Sequence, residues 1–181
     1  CEFLRNTGAS AITSTDLSHA QTRGMDEGIA VAMFDQIPSN PAELDAMIRS
    51  YLPPDWARRI GGGEIGMGLD LATSDKVSSN PSSLTVSEKR GDIITRLVFA
   101  FKSRDEFVTT QIILTAINDL ERAGKRAKGL TIDGSNELFF AQAVKKRLRG
   151  RVRVHIIKGG ENLYYHGEEA LSKIVLGNLY A

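Results

Sequence analysis

The hydrophobic pattern divides the chain into a weakly patterned opening and a strongly patterned remainder. Two short helical patterns stand out before residue 58, near Met25 to Met33 and Ala42 to Tyr51. Asn40-Pro41-Ala42-Glu43 offers a capping residue, a first-turn proline and an acid for the second, with Leu44, Met47, Ile48 and Leu52 at helical spacing behind them. Pro53-Pro54 ends it. From Ile60 the signals sharpen. Ile65 to Leu71 is a short Gly-containing apolar run, read as a buried strand, with Gly61-Gly62-Gly63 before it as a flexible entry. Ser83 to Glu88 and Asp92 to Lys102 read as two further strands around the turn Lys89-Arg90-Gly91, which makes an antiparallel meander. Ser103-Arg104-Asp105-Glu106 reads as a capping box. The helix it opens carries an apolar stripe (Val108, Ile112, Ile113, Ala116, Ile117, Leu120) and stops at Gly124. Lys128 to Asp133 is a fourth strand, Asn136 to Arg149 a helix with Phe140, Val144 and Leu148 inward, Val152 to Ile157 a fifth strand, and Glu168 to Leu179 a last helix.

The resulting order, β-β-β-α-β-α-β-α, predicts an α/β domain with a mixed five-stranded sheet, a meander joined to parallel strands and flanked by helices. Its expected extent is 59–181, preceded by an arm over 1–58. Cys1-Glu2-Phe3-Leu4 begins inside an apolar run, which reads as a piece of a longer polypeptide. Composition changes this picture little: 181 residues, 41% hydrophobic and 25% charged, are ordinary for a globular domain. A single Cys excludes a disulfide scaffold and a Cys-based zinc site. No run approaches the ~20 apolar residues of a membrane span. The net charge of +1 conceals an uneven distribution. Residues 122–158 hold eleven basic and two acidic side chains, +9, which leaves −8 for the rest. Such a block suits a polyanion; Lys and Arg coating the outer faces of a helix and two strand ends is the plainer alternative.

Candidate chemistry sits where strands of an α/β sheet end. Asp70 sits within the first apolar strand, toward its C-terminal end, and Asp133 ends the fourth. A carboxylate within an apolar strand needs compensation, and two on neighbouring strands repel unless a divalent cation joins them. Oxygen-only donors select hard cations, Mg²⁺ or Mn²⁺, and Asp75 in the following turn offers a further oxygen. Two such ions about 3.5–4 Å apart activate a water and stabilise the leaving oxygen in phosphodiester cleavage. Each acid also has a structural reading: Asp70 as a turn acid, Asp133 with Ser135 as the cap of the next helix, and Asp75 as loop chemistry.

Gly68-Leu69-Asp70-Leu71-Ala72-Thr73-Ser74-Asp75, followed by Asn80-Pro81-Ser82-Ser83-Leu84-Thr85-Val86, resembles the opening of the nuclease domain of large terminase subunits of tailed bacteriophages or prophages. Leu130-Thr131-Ile132-Asp133-Gly134-Ser135-Asn136-Glu137 is similar to that family's second acidic strand, and Cys1 to Leu4 to the end of its ATPase part. The likeness runs by pattern from Gly63 to Lys158. It implies a ribonuclease-H-like fold, two Mg²⁺ or Mn²⁺ ions held by Asp70 and Asp133 with Asp75 assisting, and endonucleolytic cleavage of concatemeric viral DNA during packaging. It implies as partners double-stranded DNA, an ATPase domain in the same polypeptide, the portal and the small terminase subunit, with no membrane. The expected setting is the host bacterial cytoplasm and the isolated domain is expected to be monomeric. The family's third carboxylate, on a helix near the domain's end, has no Asp to match it here. Glu168 and Glu169 open a helix, where acids suit the helix dipole, and the missing acid is expected beyond Ala181.

Lys125, Arg126, Lys128, Lys145, Lys146, Arg149, Arg151, Arg153 and Lys158 are the candidate phosphate contacts. His155 with Lys158 and His166 is a weaker one, and Tyr164 within Asn162 to His166 offers a ring for stacking or for packing on the last helix. Trp56 reads as an anchor for the arm. The rival functions are a resolvase or transposase-like nuclease on the same fold, and a DNA-clamping or docking module without catalysis.

Overall fold

The computed structural model describes residues 18, 29–34, 36–72 and 80–158. The acids Asp75, Glu161, Glu168 and Glu169, together with Tyr164, His166 and the predicted last helix, lie outside the described residues.

The strands are β1 (Ile29–Met33), β2 (Glu64–Asp70), β3 (Ser82–Arg90), β4 (Asp92–Lys102), β5 (Ala127–Asp133) and β6 (Val154–Ile157). The helices are α1 (Pro41–Tyr51), α2 (Glu106–Arg122) and α3 (Leu138–Arg147), with one 3₁₀ turn at Trp56–Arg59. The strands form one mixed sheet in the order β1-β4-β3-β2-β5-β6. The meander β2-β3-β4 is antiparallel, β2, β5 and β6 run parallel, and β1 runs parallel to β4. Among the described residues the architecture is therefore α/β with six strands, not the five expected.

The additional strand is the segment that spacing assigns to a helix near Met33. Ile29-Ala30-Val31-Ala32-Met33 is too short an apolar run for its period to decide, and pairing with β4 settles it as strand. Ala30 and Ala32 stand beside Phe99 and Phe101 in register and are buried, so small side chains make room for the two rings on one face. The arm expected up to residue 58 thus contributes, from Ile29 onward, to the same sheet and core.

α1 forms as its sequence dictates: the Ala42 amide donates to Asn40 Oδ1 at 3.0 Å, Pro41 occupies the first turn, and Leu44 and Ile48 are buried. α2 departs in detail from the expected capping box. Asp105 is the cap, accepting from the Phe107 amide at 2.7 Å, while Ser103 accepts from the Asp105 amide at 3.1 Å. A carboxylate at that position satisfies the free amide and complements the helix dipole together. Glu106 is thereby released to pair with Arg147 at 3.3 Å. At the other end Lys125 N donates to Leu120 O at 2.8 Å and Gly124 N to Glu121 O at 3.0 Å, with Gly124 at φ 71°. That double bond needs a left-handed residue, which glycine supplies.

α2 contacts α1 on one side and α3 on the other. Its buried Val108, Ile112, Ile113 and Leu120 share the core with Met67, Leu69, Leu84, Phe99, Leu130 and Ile132 of the sheet. Beside it, Asp119 accepts from Trp56 Nε1 at 3.2 Å and pairs with Arg49, which also meets Asp45 at 2.7 Å. Burial pushes the Asp45 carboxyl up, but the Thr115 hydroxyl and Arg49 outweigh it and hold it below its ordinary value. Trp56 is 2% exposed and is tied to α2 through this carboxylate. Asp119→Ala, which orphans a buried indole N–H and leaves the half-buried Arg49 with Asp45 alone, is expected to cost about 2–3 kcal/mol, read from urea denaturation midpoints.

Gly61-Gly62-Gly63 is clamped, contrary to the expected flexible entry. The Gly61 and Gly63 amides donate to Glu88 at 3.1 and 2.9 Å, and Gly61 O accepts from Lys125 Nζ at 2.6 Å. A Cβ on Gly63 would fall 2.5 Å from Lys89 O, so the glycine is there for close backbone approach. Glu88 itself is fully buried and meets Arg96 at 2.9 Å. The register shifts between Val86 and Ser87 opposite β4, leaving Arg96 as the extra residue of a bulge. Such a bulge re-aims one side chain.

Candidate acidic site and basic face

Asp70 and Asp133 are brought together by the parallel pairing of β2 with β5, in which they are register partners. Paired residues on neighbouring strands present side chains to the same face, with backbones about 4.8 Å apart. The preceding pair, Leu69 and Ile132, is buried in the core, so alternation turns the acids to the opposite face, where Asp70 is exposed and Asp133 half-buried.

Both strand exits are held. After Asp70, the Ser82 hydroxyl accepts from Ala72 N at 3.0 Å and donates to Ala72 O at 3.2 Å, which fixes the chain leaving β2 against the start of β3. After Asp133, Gly134 N donates to Ile157 O at 2.9 Å, and a Cβ on Gly134 would lie 2.7 Å from Ile156 Cγ2. Asp133 Oδ1 accepts from the Ser135 amide at 2.9 Å and from its hydroxyl at 2.5 Å. The cap of α3 is Glu137 and not Asp133, so the turn ties down one carboxylate oxygen and no helix claims the other.

Asp70 accepts no hydrogen bond and meets no cation among the described residues. Burial, and then the charge of Asp133, hold its carboxyl above the ordinary value of 3.8. The site is thus two like charges side by side with no cationic side chain meeting Asp70 among the described residues, an arrangement that a hard cation relieves. Among the described residues no group of three or more His, Cys, Asp or Glu gathers as a metal cluster. Asp75 lies outside the described residues.

No family model, no curated protein and no solved structure matches the chain.

The basic block is split by the fold. Lys125 is spent on Gly61 O, Lys128 meets Glu64 at 3.8 Å, and Arg151 bonds Asn118 at 2.8 Å and Glu121 at 3.2 Å. Arg126, Lys145, Lys146, Arg149, Arg153 and Lys158 have no such partner among the described residues. Most of these line two adjoining hollows. One, of about 540 Å³, has Lys145, Lys146, Arg149 and Arg153 on its walls, and one of about 320 Å³ has Arg126 and Arg153. Both lie at the end of the sheet where β5 and β6 begin. Lys128 and Asp133 stand five residues apart on β5, roughly 16 Å at 3.3 Å per residue. Apart from Lys158, which follows Ile157, the register partner of Asp133, these cations therefore stand away from the acids. His155 is exposed on β6, beside Thr131 in register.

Sequence reasoning missed Phe139, in the first turn of α3, which is 86% exposed. Its signal was available: with Phe140 partly buried and Ala141 and Val144 buried, position 139 falls on the outer side of the helix.

Proposed function

We propose that the chain is a metal-dependent phosphodiester-cleaving domain of ribonuclease-H-like fold, acting on double-stranded DNA as the nuclease part of a large terminase subunit. The observation that carries this reading is the register pairing of Asp70 with Asp133 at the ends of adjacent parallel strands. The order β4-β3-β2-β5-β6, a meander followed by two parallel strands, agrees with that fold. The resemblance of the two acidic strands supplies the substrate, concatemeric viral DNA, and the partners: an ATPase domain in the same polypeptide, a portal and a small terminase subunit.

The donor set fits Mg²⁺ or Mn²⁺. Both groups are carboxylates, their mutual repulsion falls when a cation sits between them, and Ser135 orients one Asp133 oxygen so that the other is left for a ligand. Bound there, the ion would polarise the scissile phosphodiester and neutralise charge building on its oxygens. The protein's own part is positional. The β2–β5 pairing sets the acids side by side, Ser82 ties the exit of β2 to β3 and Gly134 that of β5 to β6, and the free cations hold phosphates without reading sequence.

The test is plasmid nicking as Mn²⁺ is titrated from zero. Cleavage that rises with Mn²⁺ and disappears with a chelator is expected. Salt-sensitive DNA binding without any nicking would overturn the nuclease reading and favour a clamping module, which the separation between acids and cations also suits.

A further inference from the structure

Lys145, Lys146, Arg149 and Arg153 stand at the end of the sheet away from the acids, and one element leads from the turn after Asp133 to them. Loop 134–137 carries the chain from Asp133 into the first turn of α3, and α3 with its following turn ends among the cation-lined hollows. Its outward residues are Phe139, Gln142, Lys145, Lys146 and Arg149, all exposed. Phe139, Gln142, Lys146 and Arg149 follow one another at intervals of three, four and three, so they form one ridge along the helix. From Phe139 to Arg149 the ridge covers about 15 Å at 1.5 Å per residue. Arg147, off the ridge, is paired with Glu106, whereas Lys145, Lys146 and Arg149 have no ion pair among the described residues.

We propose that this ridge is a binding track for unpaired nucleic acid, with a base stacked on Phe139 and the adjoining phosphates on Lys146 and Arg149. The inference rests on the nucleic-acid partner of the reading above and adds to it that the nucleic acid held on this helix is locally single-stranded. Three observations choose this occupant. A phenyl ring 86% exposed retains little of its hydrophobic burial and is free to take a planar partner on its face. The cations on the same ridge are uncompensated, which favours a polyanion over an apolar protein surface. Aromatic and basic residues following one another along a single line is the arrangement that tracks a single strand, the ring taking bases and the cations taking phosphates.

The experiment is fluorescence anisotropy of a labelled oligothymidylate with the chain in EDTA, where cleavage plays no part. Phe139→Ala is expected to weaken binding about tenfold, within the 1–3 kcal/mol typical of base–aromatic stacking, while the dependence of affinity on salt stays unchanged. Phe139→Tyr should bind as the parent does and Phe139→Leu as weakly as Ala. The double variant Lys146→Gln/Arg149→Gln should weaken binding and make the log K against log salt line shallower by about 1.4, at ~0.7 for each phosphate the variant no longer holds. The proposal is overturned by parental affinity in Phe139→Ala, by Leu serving as well as Tyr, or by an unchanged salt slope in the double variant. A duplex of equal length bound as tightly as the single strand, and indifferent to Phe139, overturns it as well. Nicking with Mn²⁺ is scored separately: nicking without a Phe139 effect removes the track alone, and a Phe139 effect without nicking removes the nuclease reading alone.

Discussion

Glu88→Ala is expected to lower stability by about 3–5 kcal/mol, the range for removing one partner of a buried ion pair. Glu88 is fully buried, Arg96 is 8% exposed, and their closest approach is 2.9 Å. Truncation removes the carboxylate that this guanidinium meets and also frees the Gly61 and Gly63 amides. Set against the 5–15 kcal/mol that holds a typical domain, such a loss shifts the melting temperature by roughly 10 °C. The pair is not thereby a net source of stability: Glu88→Leu with Arg96→Met, removing both charges, should recover much of the loss. Urea denaturation of the parent and these two variants separates the cases. A Glu88→Ala shift below about 1 kcal/mol would show that the acid and its partners are not closed off from water.

The same carboxylate predicts an acid limb. Burial raises the affinity of Glu88 for a proton, but the Gly63 and Gly61 amides and Arg96 outweigh it and hold the carboxyl below its ordinary 4.5. The unfolded chain then takes up the proton at higher pH than the folded one. The stabilisation from Glu88 is complete above pH 4.5 and is lost as pH falls through the lower folded value. Melting curves from about pH 7 down to about pH 3 should show this loss, and Glu88→Gln, which has no proton to take up, should flatten that part of the profile.

Why the acids were legible in the sequence and this ion pair was not follows from how each is built. Asp70 and Asp133 each end an apolar run, so alternation alone sends them off the core face, and a single assumption, that the two strands are neighbours, makes them a pair. Glu88 and Arg96 sit in strands whose alternation reads normally, and they meet only because a bulge adds one residue to β4. Helix and turn ends were readable where one residue carries the geometry, as at Asn40, Gly91, Gly124 and Gly150, the three glycines at φ 84°, 71° and 83°. β1 was not, since five apolar residues lack a period and pairing with β4 alone decides their conformation. The basic block was readable as a sum and not as a surface. Arg151 finds Glu121 thirty residues away, so which cations remain free is decided by tertiary contacts.

Asp70→Asn should combine two effects that a merely structural acid would not show together. Without metal the variant should be slightly more stable than the parent, by about 0.5 kcal/mol, the scale of exposed charge pairs, because it removes one of two neighbouring like charges. The sign follows from the direction of the shift. A carboxyl held above its ordinary value destabilises the fold as pH rises from about 4 through that raised value, so the advantage of Asn should be present at about pH 7 and vanish at about pH 3. With Mn²⁺ the order should invert: the parent gains stability as the ion binds the folded state, and Asn, lacking the charge, gains little. Nicking by Asp70→Asn and by Asp133→Asn should each fall at least ~100-fold, the loss expected when a group aimed at developing charge is removed. Because both acids act on one ion, the double variant should be little worse than either single one. Asp133→Asn keeps an oxygen for Ser135 and so should preserve the turn, which makes a fall in its activity a matter of charge and not of a misplaced strand end. Parental nicking in either variant, or equal Mn²⁺ stabilisation of parent and Asp70→Asn, would remove the metal from this site.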